Sequence, residues 1–335
     1  MTKIVVDVFS GDNPEELIKG VALTVNETKD VYIILPGNPE YLEKELSKHE
    51  FDRARVEILP ASEIIENNES PTEAIRKKKD SSLVRGMTAL KNDPEIGGII
   101  SAGSTGAILC GGIFIVGRIR GIDRPALGAL LPTATGGNVC LVDCGANSEC
   151  RPQYLAQFAL LGTATMRGVC GVENPKVALV NVGQEDHKGN AFTHESAELI
   201  REMPVNFVGN MEARDTLSGK YDVLVCDGFT GNVVLKSIEG TAKLFATKLM
   251  ESAKVIAQTD GEKLAVKNSM MSVMGMLDYN SKGGAWLLGC NKPILKIHGA
   301  ATAQTVPNAV ALMCNMITAN MADEVSRVLQ DLTQR

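Results

Sequence analysis

Four segments of this chain end an apolar, β-branched run in a turn that carries glycine and Ser, Thr, Asn or Asp. They span 98–106, with Ser101, Gly103, Ser104, Thr105 and Gly106; 139–147, with Asp143 and Asn147; 177–183, with Asn181; and 223–232, with Asp227, Gly228, Phe229, Thr230, Gly231 and Asn232. Buried parallel strands read as continuous apolar runs, and open α/β sheets bind ligands beyond the carboxyl ends of their strands. Several such strand ends in one chain predict a single composite pocket, and free backbone N–H groups there suit an anion. The 227–232 turn has two readings. Its N–H groups and Thr230 can hold phosphate while Asp227 orients it or accepts a proton, or Asp227 only caps a helix. Asp143 is likewise a binding residue or a brace for nearby backbone.

A long polar loop, 181–190, follows the third of these strands. Lys188, beside Gly189 and Asn190, can reach a phosphate as a point charge, or is simply an exposed loop lysine. The run Arg76-Lys77-Lys78-Lys79 is either a solvated helix face or, with Arg118, Arg120 and Arg124, a dock for an acidic partner. The uncharged, methionine-rich run 270–277 reads first as core or dimer packing, then as a membrane or acyl-chain contact. The fingerprints G-x-G-x-x-G, G-x-x-x-x-G-K-[ST] and G-x-S-x-G are all absent. An anion site without a nucleotide loop or nucleophile elbow suggests that inorganic phosphate, or a phosphorylated small molecule, is itself a reactant.

Composition narrows the class. With 335 residues, 44% apolar and 22% charged, the chain can bury a large core, as one big α/β domain or as two lobes. A net charge of −6 argues against nucleic acid as the main partner. The eight cysteines form no C-x-x-C pair and predict buried free thiols in a reducing cytoplasm. The four histidines, His49, His187, His194 and His298, form no close pair, so no metal site and no cofactor is expected. Met1 runs straight into a strand-like segment, which predicts no signal peptide. The uncharged stretch 96–117 is long enough to span a bilayer, but its seven glycines and central hydroxyls predict a strand, a turn and a buried helix instead.

The elements that must position these residues follow from hydrophobic period. Strands are predicted at 3–9, 31–36, 55–60, 97–101, 127–132, 138–143, 176–182, 205–209, 221–227 and 293–298. Helices are predicted at 14–28, 39–49, 71–91, 104–119, 151–170, 192–203 and 231–258, with Pro14, Pro39 and Pro71 in first turns. This alternation predicts an α/β fold with a mainly parallel, doubly wound sheet covered on both faces. No linker divides residues 1–335, so a single domain is expected. From 231 to about 277 the pattern is nearly continuous helix, interrupted near 259–261, which predicts a protruding helical hairpin arm over 236–282 for dimerisation or membrane contact. From Pro307 the chain reads as one amphipathic helix with a polar tail.

Taken in order, these loops resemble the acyl-(acyl-carrier-protein):phosphate acyltransferases, the PlsX family. The resemblance runs from Lys3 to about Ala300 and rests on 74–82, 101–107, 117–127, 143–147, 188–190, 227–232, 279–289 and His298-Gly299. It implies a fold similar to phosphate acetyltransferases and isocitrate/isopropylmalate dehydrogenases, and a homodimer with some peripheral membrane contact. It also implies attack of phosphate on a fatty acyl thioester carried on acyl carrier protein, giving acyl phosphate for phospholipid synthesis. The implied partners are acyl carrier protein, inorganic phosphate and a downstream glycerol-3-phosphate acyltransferase, in the cytoplasm.

The chemistry suits such a site. Phosphate is substantially a dianion near neutral pH, and thiolate is a fair leaving group with a thiol pKa of ~8.5. The site then has to supply position and charge. Lys188 and the 228–232 turn are expected on phosphate, with Asp227 orienting the dianion or Lys188. Asn147, Ser104, Thr105 and His298 are expected on the carbonyl side.

Three polar departures from the family pattern stand out. Ser10-Gly11-Asp12-Asn13 lacks the histidine of the family's first loop, Ser104 replaces an asparagine, and Ala300-Ala301 replace a serine pair. Trp286 fills a position that is usually smaller, which predicts a narrowed acyl tunnel. A short-chain relative using coenzyme A, or a non-catalytic dimeric membrane scaffold, would share much of this pattern.

Overall fold

The computed structural model describes residues 1–257, 259–277 and 283–333. An eleven-stranded sheet forms its spine. The first half alternates β1 (Thr2–Asp7), α1 (Pro14–Glu27), β2 (Val31–Gly37), α2 (Pro39–Leu46), β3 (Val56–Pro60), α3 (Pro71–Lys77), α4 (Ser82–Asn92), β4 (Ile96–Ser101) and α5 (Thr105–Gly111). Next come β5 (Ala126–Pro132), β6 (Asn138–Val142), α6 (Pro152–Cys170), β7 (Lys176–Asn181), α7 (Ala191–Glu202), β8 (Asn206–Glu212) and β9 (Val223–Val225). The chain ends with α8 (Gly228–Ile256), α9 (Asp260–Leu277), β10 (Ala285–Leu288), β11 (Ile294–Lys296), α10 (Thr305–Ala319) and α11 (Met321–Thr333). Pro14, Pro39 and Pro71 open their helices as expected.

The strand order is β3-β2-β1-β4-β11-β10-β5-β6-β9-β7-β8. Pairing is parallel within β3-β2-β1-β4-β11 and within β6-β9-β7-β8. The three joints β11/β10, β10/β5 and β5/β6 are antiparallel, so the two parallel halves run in opposite directions. The expected mainly parallel, helix-covered sheet is present, with this reversal at its centre.

Strand register assigns each side chain to a face. One face is a continuous core in which Ile100, Leu295, Trp286, Val142 and Val225 meet α1, α2, α6, α7, α10 and α11. The other face is split. Ile99, Ile294 and Leu287 pack under α3, α4 and α5, while Leu127, Ala129, Leu141 and Ala285 pack under α8. The split opens a cleft over the middle strands, between α5 and α8.

Several sequence expectations need correction. The helix predicted at 71–91 is two helices, because Ser81 accepts the Val84 N–H and starts α4 anew. The helix predicted at 104–119 ends as α5 at Gly111 and continues as a π-helical turn, Gly112–Val116. The C-terminal helix is also two, broken where Asn320 takes a left-handed φ of 44°. Strand β10 was not foreseen, and Trp286 on it is fully buried on the continuous face, opposite the cleft. It cannot narrow a tunnel that opens on the other side. Stretch 96–117 forms β4, a turn and a largely buried helix as expected, and no described helix is long and apolar enough to cross a membrane. All eight cysteines are free thiols. The hairpin appears as α8, ending at Ile256, and α9, starting at Asp260; residues 258 and 278–282 of the expected arm, and 279–282 of the family motif, lie outside the described residues.

Candidate functional site

The cleft holds a pocket of about 180 Å³, lined by Thr105, Leu127, Cys144, Asn232, Leu235, Lys236, Ala285, Lys296, Ile297 and His298. That is room for a small anion and a few waters at about 30 Å³ each. Each half of the sheet supplies one wall. Thr105 starts α5 where β4 ends, and Asn232, Leu235 and Lys236 lie on the first turns of α8, beyond β9. Lys296 ends β11 beside Ala285 on the split face, so it forms the floor.

Lys296 was missed by sequence reasoning. Its only signal was a charged residue inside the otherwise apolar run 293–297. Its Nζ donates to Ile297 O at 3.2 Å. Burial, helped by the like charge of Lys236, holds the ammonium below the usual lysine range. Lys236 is exposed and paired with Glu239 at 2.8 Å. Two cations facing one small pocket, one of them poorly hydrated, suit an anion. Cys144 was missed as well. Burial and the charge of Asp143 push its thiol well up, so it does not supply a thiolate nucleophile near neutral pH.

His298 is exposed on the rim, and its Nδ1 accepts the Ala300 N–H at 3.1 Å. That bond puts the proton of the neutral ring on Nε2, a donor available to a carbonyl oxygen. Ser104 caps α5 by accepting the Ala107 N–H at 3.2 Å. Gly106 lies under Pro71, where an added Cβ would sit 2.5 Å from the ring.

Other expected site residues act one step back from the pocket. Asp143 is fully buried, and its carboxylate accepts N–H groups of Leu127, Gly145, Ala146 and Asn147 and the Asn147 amide at 2.8–3.1 Å. It therefore organises the 143–147 loop. Both amide hydrogens of Asn147 are engaged, on Pro125 O and Asp143 Oδ2, so none is left for a substrate oxyanion. Asp227 caps α8 through the Thr230 N–H at 2.8 Å and the Thr230 hydroxyl at 2.9 Å. Gly228 donates to Asn147 O at 2.7 Å, and a Cβ on Gly231 would lie 1.9 Å from Asp143 O. The two glycines thus let α8 start directly against the 143–147 loop. Phe229 points to solvent.

Lys188 and Asn190 do not line the pocket. They sit beyond β7, two strand spacings or about 10 Å from β6. Asn190 caps α7 with Thr193 as its capping-box partner. Asn181 and His194 hold the Lys188 carbonyl at 3.2 and 2.9 Å, which leaves the lysine ammonium exposed beyond a braced loop.

The first loop closes the other end of the cleft, where Asp12 N donates to Gly299 O at 2.8 Å. Ser10, which stands at the first glycine of the family's loop, and Ser101 donate to Asp7 Oδ2 at 2.6 and 2.8 Å. Gly103 donates to Ser101 Oγ at 3.1 Å. Asp7 is buried with Oδ1 unpartnered, and burial pushes its carboxyl up. The folded state then holds this proton at pH values where the unfolded chain, with a pKa of ~3.9, has released it. The contribution to stability is full below about pH 3.9 and is lost as pH rises through the folded pKa. Asp7→Asn keeps one acceptor for both hydroxyls and removes the charge. Its melting temperature relative to wild type should therefore rise between pH 4 and pH 8, and a pH-independent difference would contradict this account.

The basic groups gather away from the pocket. α3 lies along α5, with Pro71 over Gly106 and Ile75 beside Gly111, so Arg76, Lys77, Lys78 and Lys79 lie toward the end of α5 that leads to Arg118, Arg120 and Arg124. Lys77 pairs with Glu73 at 2.8 Å and Lys78 with Glu69 at 2.7 Å. Arg118 donates to Asp123 O, whereas Arg76, Lys79, Arg120 and Arg124 are exposed.

Comparison with known proteins gives a consistent result. The family described as Fatty acid synthesis protein matches residues 2–324. The phosphate acyltransferase of Clostridioides difficile is 43% identical over 309 residues, covering 92% of this chain and 90% of that one. The phosphate acyltransferase of Clostridium tetani is 40% identical over 333 residues, covering 98% of each. Among solved structures, a phosphotransacetylase from Streptococcus pyogenes aligns with a TM-score of 0.63 at 17% identity, covering 96% of this chain and 94% of that one. A branched-chain phosphotransacylase from Enterococcus faecalis aligns at 0.60 and 11% identity, covering 95% and 99%. At these identities the two structures show a shared fold.

Proposed function

We propose that this chain, which belongs to the fatty acid synthesis protein family, works as a phosphate acyltransferase of lipid biosynthesis that moves a fatty acyl group from acyl carrier protein to inorganic phosphate. The observation that carries the site assignment is the pairing of Lys296 and Lys236 around a pocket of about 180 Å³. Phosphate binds there as a dianion, and one of its oxygens attacks the thioester carbonyl beside it. Thr105 and the His298 Nε2–H receive the developing oxyanion. When the tetrahedral centre collapses, the C–O bond to phosphate is kept and the C–S bond breaks. The carrier thiolate leaves and takes a proton from solvent, so no enzyme nucleophile is needed. Lys188, exposed on its braced loop, supplies charge on the approach to the site, and Asp227 positions Asn232 by starting α8.

Arg76, Lys79, Arg120 and Arg124 receive the acidic carrier protein. The Arg76→Glu/Arg120→Glu double variant should raise KM for the acyl carrier thioester about tenfold at low salt and leave KM for phosphate unchanged. An unchanged thioester KM would move the dock elsewhere. A homodimer with its hairpins at the membrane surface, and kinship of the fold with the isocitrate/isopropylmalate dehydrogenases, belong to the same proposal. Feeding of a glycerol-3-phosphate acyltransferase by the acyl phosphate product belongs to it too.

The deciding experiment adds orthophosphate to acyl carrier thioester or acyl-coenzyme A and follows free thiol, with hydroxylamine trapping of acyl phosphate. Phosphate-dependent release from the carrier thioester is the expected result. Release from short acyl-coenzyme A alone would identify a short-chain enzyme, and no release from either would leave a scaffold.

A further inference from the structure

We propose that Phe114, turned outward by the π-helical turn that follows α5, is the apolar anchor on which the acidic carrier protein seats. This rests on the acyl-thioester reading above and names the contact that holds its protein partner. Phe114 is 62% exposed, and among the described residues of 105–117 it is the one large apolar side chain left mainly in water.

That exposure is a product of the backbone. Ala107, Ile108 and Gly111 form the buried face of α5. At the α-helical period Phe114 and Ile115 would come next on that face, and Val116 would turn away from it. Instead the Gly117 N–H reaches back five residues to Gly112 O at 2.9 Å, so the last turn holds an extra residue. Gly112 and Val116 are therefore buried, with Gly112 against Leu287, and Phe114 swings out. Such turns are rare and collect at functional sites. Here the turn exchanges a β-branched side chain for an aromatic one at the surface.

The surroundings supply charge. On the outer side of α3 and α5, Thr72 Oγ1 and Cys110 Sγ touch at 3.6 Å. The two helices run the same way, with Pro71 over Gly106 and Ile75 beside Gly111, so Arg76 and Phe114 come one turn further along that line. Lys79 and Arg120, exposed like Arg76, follow these two in the chain. An aromatic anchor flanked by cations complements a partner whose apolar spot is flanked by acids. A second copy fits poorly, because a two-fold contact sets a patch against itself and would bring these cations together. A bilayer fits poorly too, because one ring offers little apolar area to insert. Helix α5 also ties the anchor to the pocket. Thr105 lines that pocket, and Phe114 lies about 13 Å further along the helix, so a carrier seated there has its prosthetic arm within reach of the phosphate.

The test measures initial rates of the full-length protein with acyl carrier thioester and orthophosphate. Phe114→Ala should raise KM for the carrier thioester about thirtyfold, the usual consequence of truncating an aromatic anchor, and leave kcat and KM for phosphate unchanged. The rise should persist in high salt, whereas the defect of the Arg76→Glu/Arg120→Glu variant should shrink there. Phe114→Leu, which keeps an apolar head, should lose less than alanine. A carrier KM within about threefold of wild type in Phe114→Ala would overturn the inference and leave the dock to the charges alone. An equal rise in KM for phosphate would overturn it as well, because the substitution would then be acting on α5 and the pocket. Vesicle flotation and sedimentation accompany the kinetics. Loss of binding to anionic vesicles, or of a dimer, with the carrier KM unchanged would assign Phe114 to those partners instead. Absence of phosphate-dependent thiol release from wild type would defeat the underlying reading of the site.

Discussion

Lys296→Met is expected to lower kcat/KM for phosphate by about 10² to 10³, the usual consequence of removing one preorganised charge from a reacting oxyanion. The lysine is aimed at the pocket from the sheet floor and is largely shielded from water, which strengthens its pull on an anion. Methionine keeps the length and apolar stem, so folding should survive, and thermal melting checks that point.

A pH profile tests the same residue independently. Below its pKa Lys296 is a cation, and as pH rises through that value the charge is lost and phosphate affinity falls. Because burial and Lys236 both lower the pKa, this alkaline limb should come below the usual lysine value of ~10.4. Lys236→Met removes the like charge and should move the limb to higher pH, with a loss in kcat/KM below tenfold because Lys236 is exposed and already paired. A Lys296→Met enzyme within threefold of wild type would mean that phosphate binds elsewhere, with the Lys188 loop the next place to look.

Asp143→Ala should be the most damaging substitution for folding. Four backbone N–H groups and the Asn147 amide converge on this buried carboxylate. Removing it orphans all of them in a site that water reaches poorly, at a cost of about 3–5 kcal/mol. That is a large share of the ~5–15 kcal/mol that holds most domains folded.

Asparagine separates shape from hydrogen bonding. In Asp143→Asn, one oxygen still accepts the Leu127, Gly145 and Ala146 N–H groups, while the new NH₂ faces the two donors of Asn147. The loss should fall between wild type and alanine. Urea midpoints order the three proteins, and an alanine variant within 1 kcal/mol of wild type would show that the loop holds itself. Activity should fall with stability, since the 143–147 loop carries Cys144 and seats the start of α8, where a Cβ added at Gly145 would lie 3.6 Å from the Asn232 side chain.

Much of the site was legible because it is local. A strand that ends in Ser, Asp or Asn followed by glycine has to turn where it does, and the helix caps at Ser104, Asn190 and Asp227 follow from side-chain reach. Thr105, Asn232 and His298 were all anticipated, and all line the pocket. Roles were harder to read than places. A glycine beside Asp227 looks the same in sequence whether it frees an N–H for phosphate or lets a helix start against a carbonyl. Asn147 cannot be told from a substrate donor until both of its hydrogens are seen to be engaged.

Hydrophobic period and turn chemistry, both short-range, fixed most of the elements and the two-faced cover of the sheet, while the ordered loop motifs carried the resemblance to an acyltransferase family. Long-range pairing decided the rest. The antiparallel joints through β10 and β5 reverse half of the sheet, and nothing in the local pattern encodes their direction. Helix α8 can then approach the cleft from the opposite side to α5, and Lys296, one alternate residue in an apolar strand, lies between the two walls. Register alone settles which face a strand residue occupies, because a shift of one position would exchange Lys296 with its buried neighbours. The same register places Trp286 in the core on the far side, so that a residue expected at the tunnel is a packing residue instead.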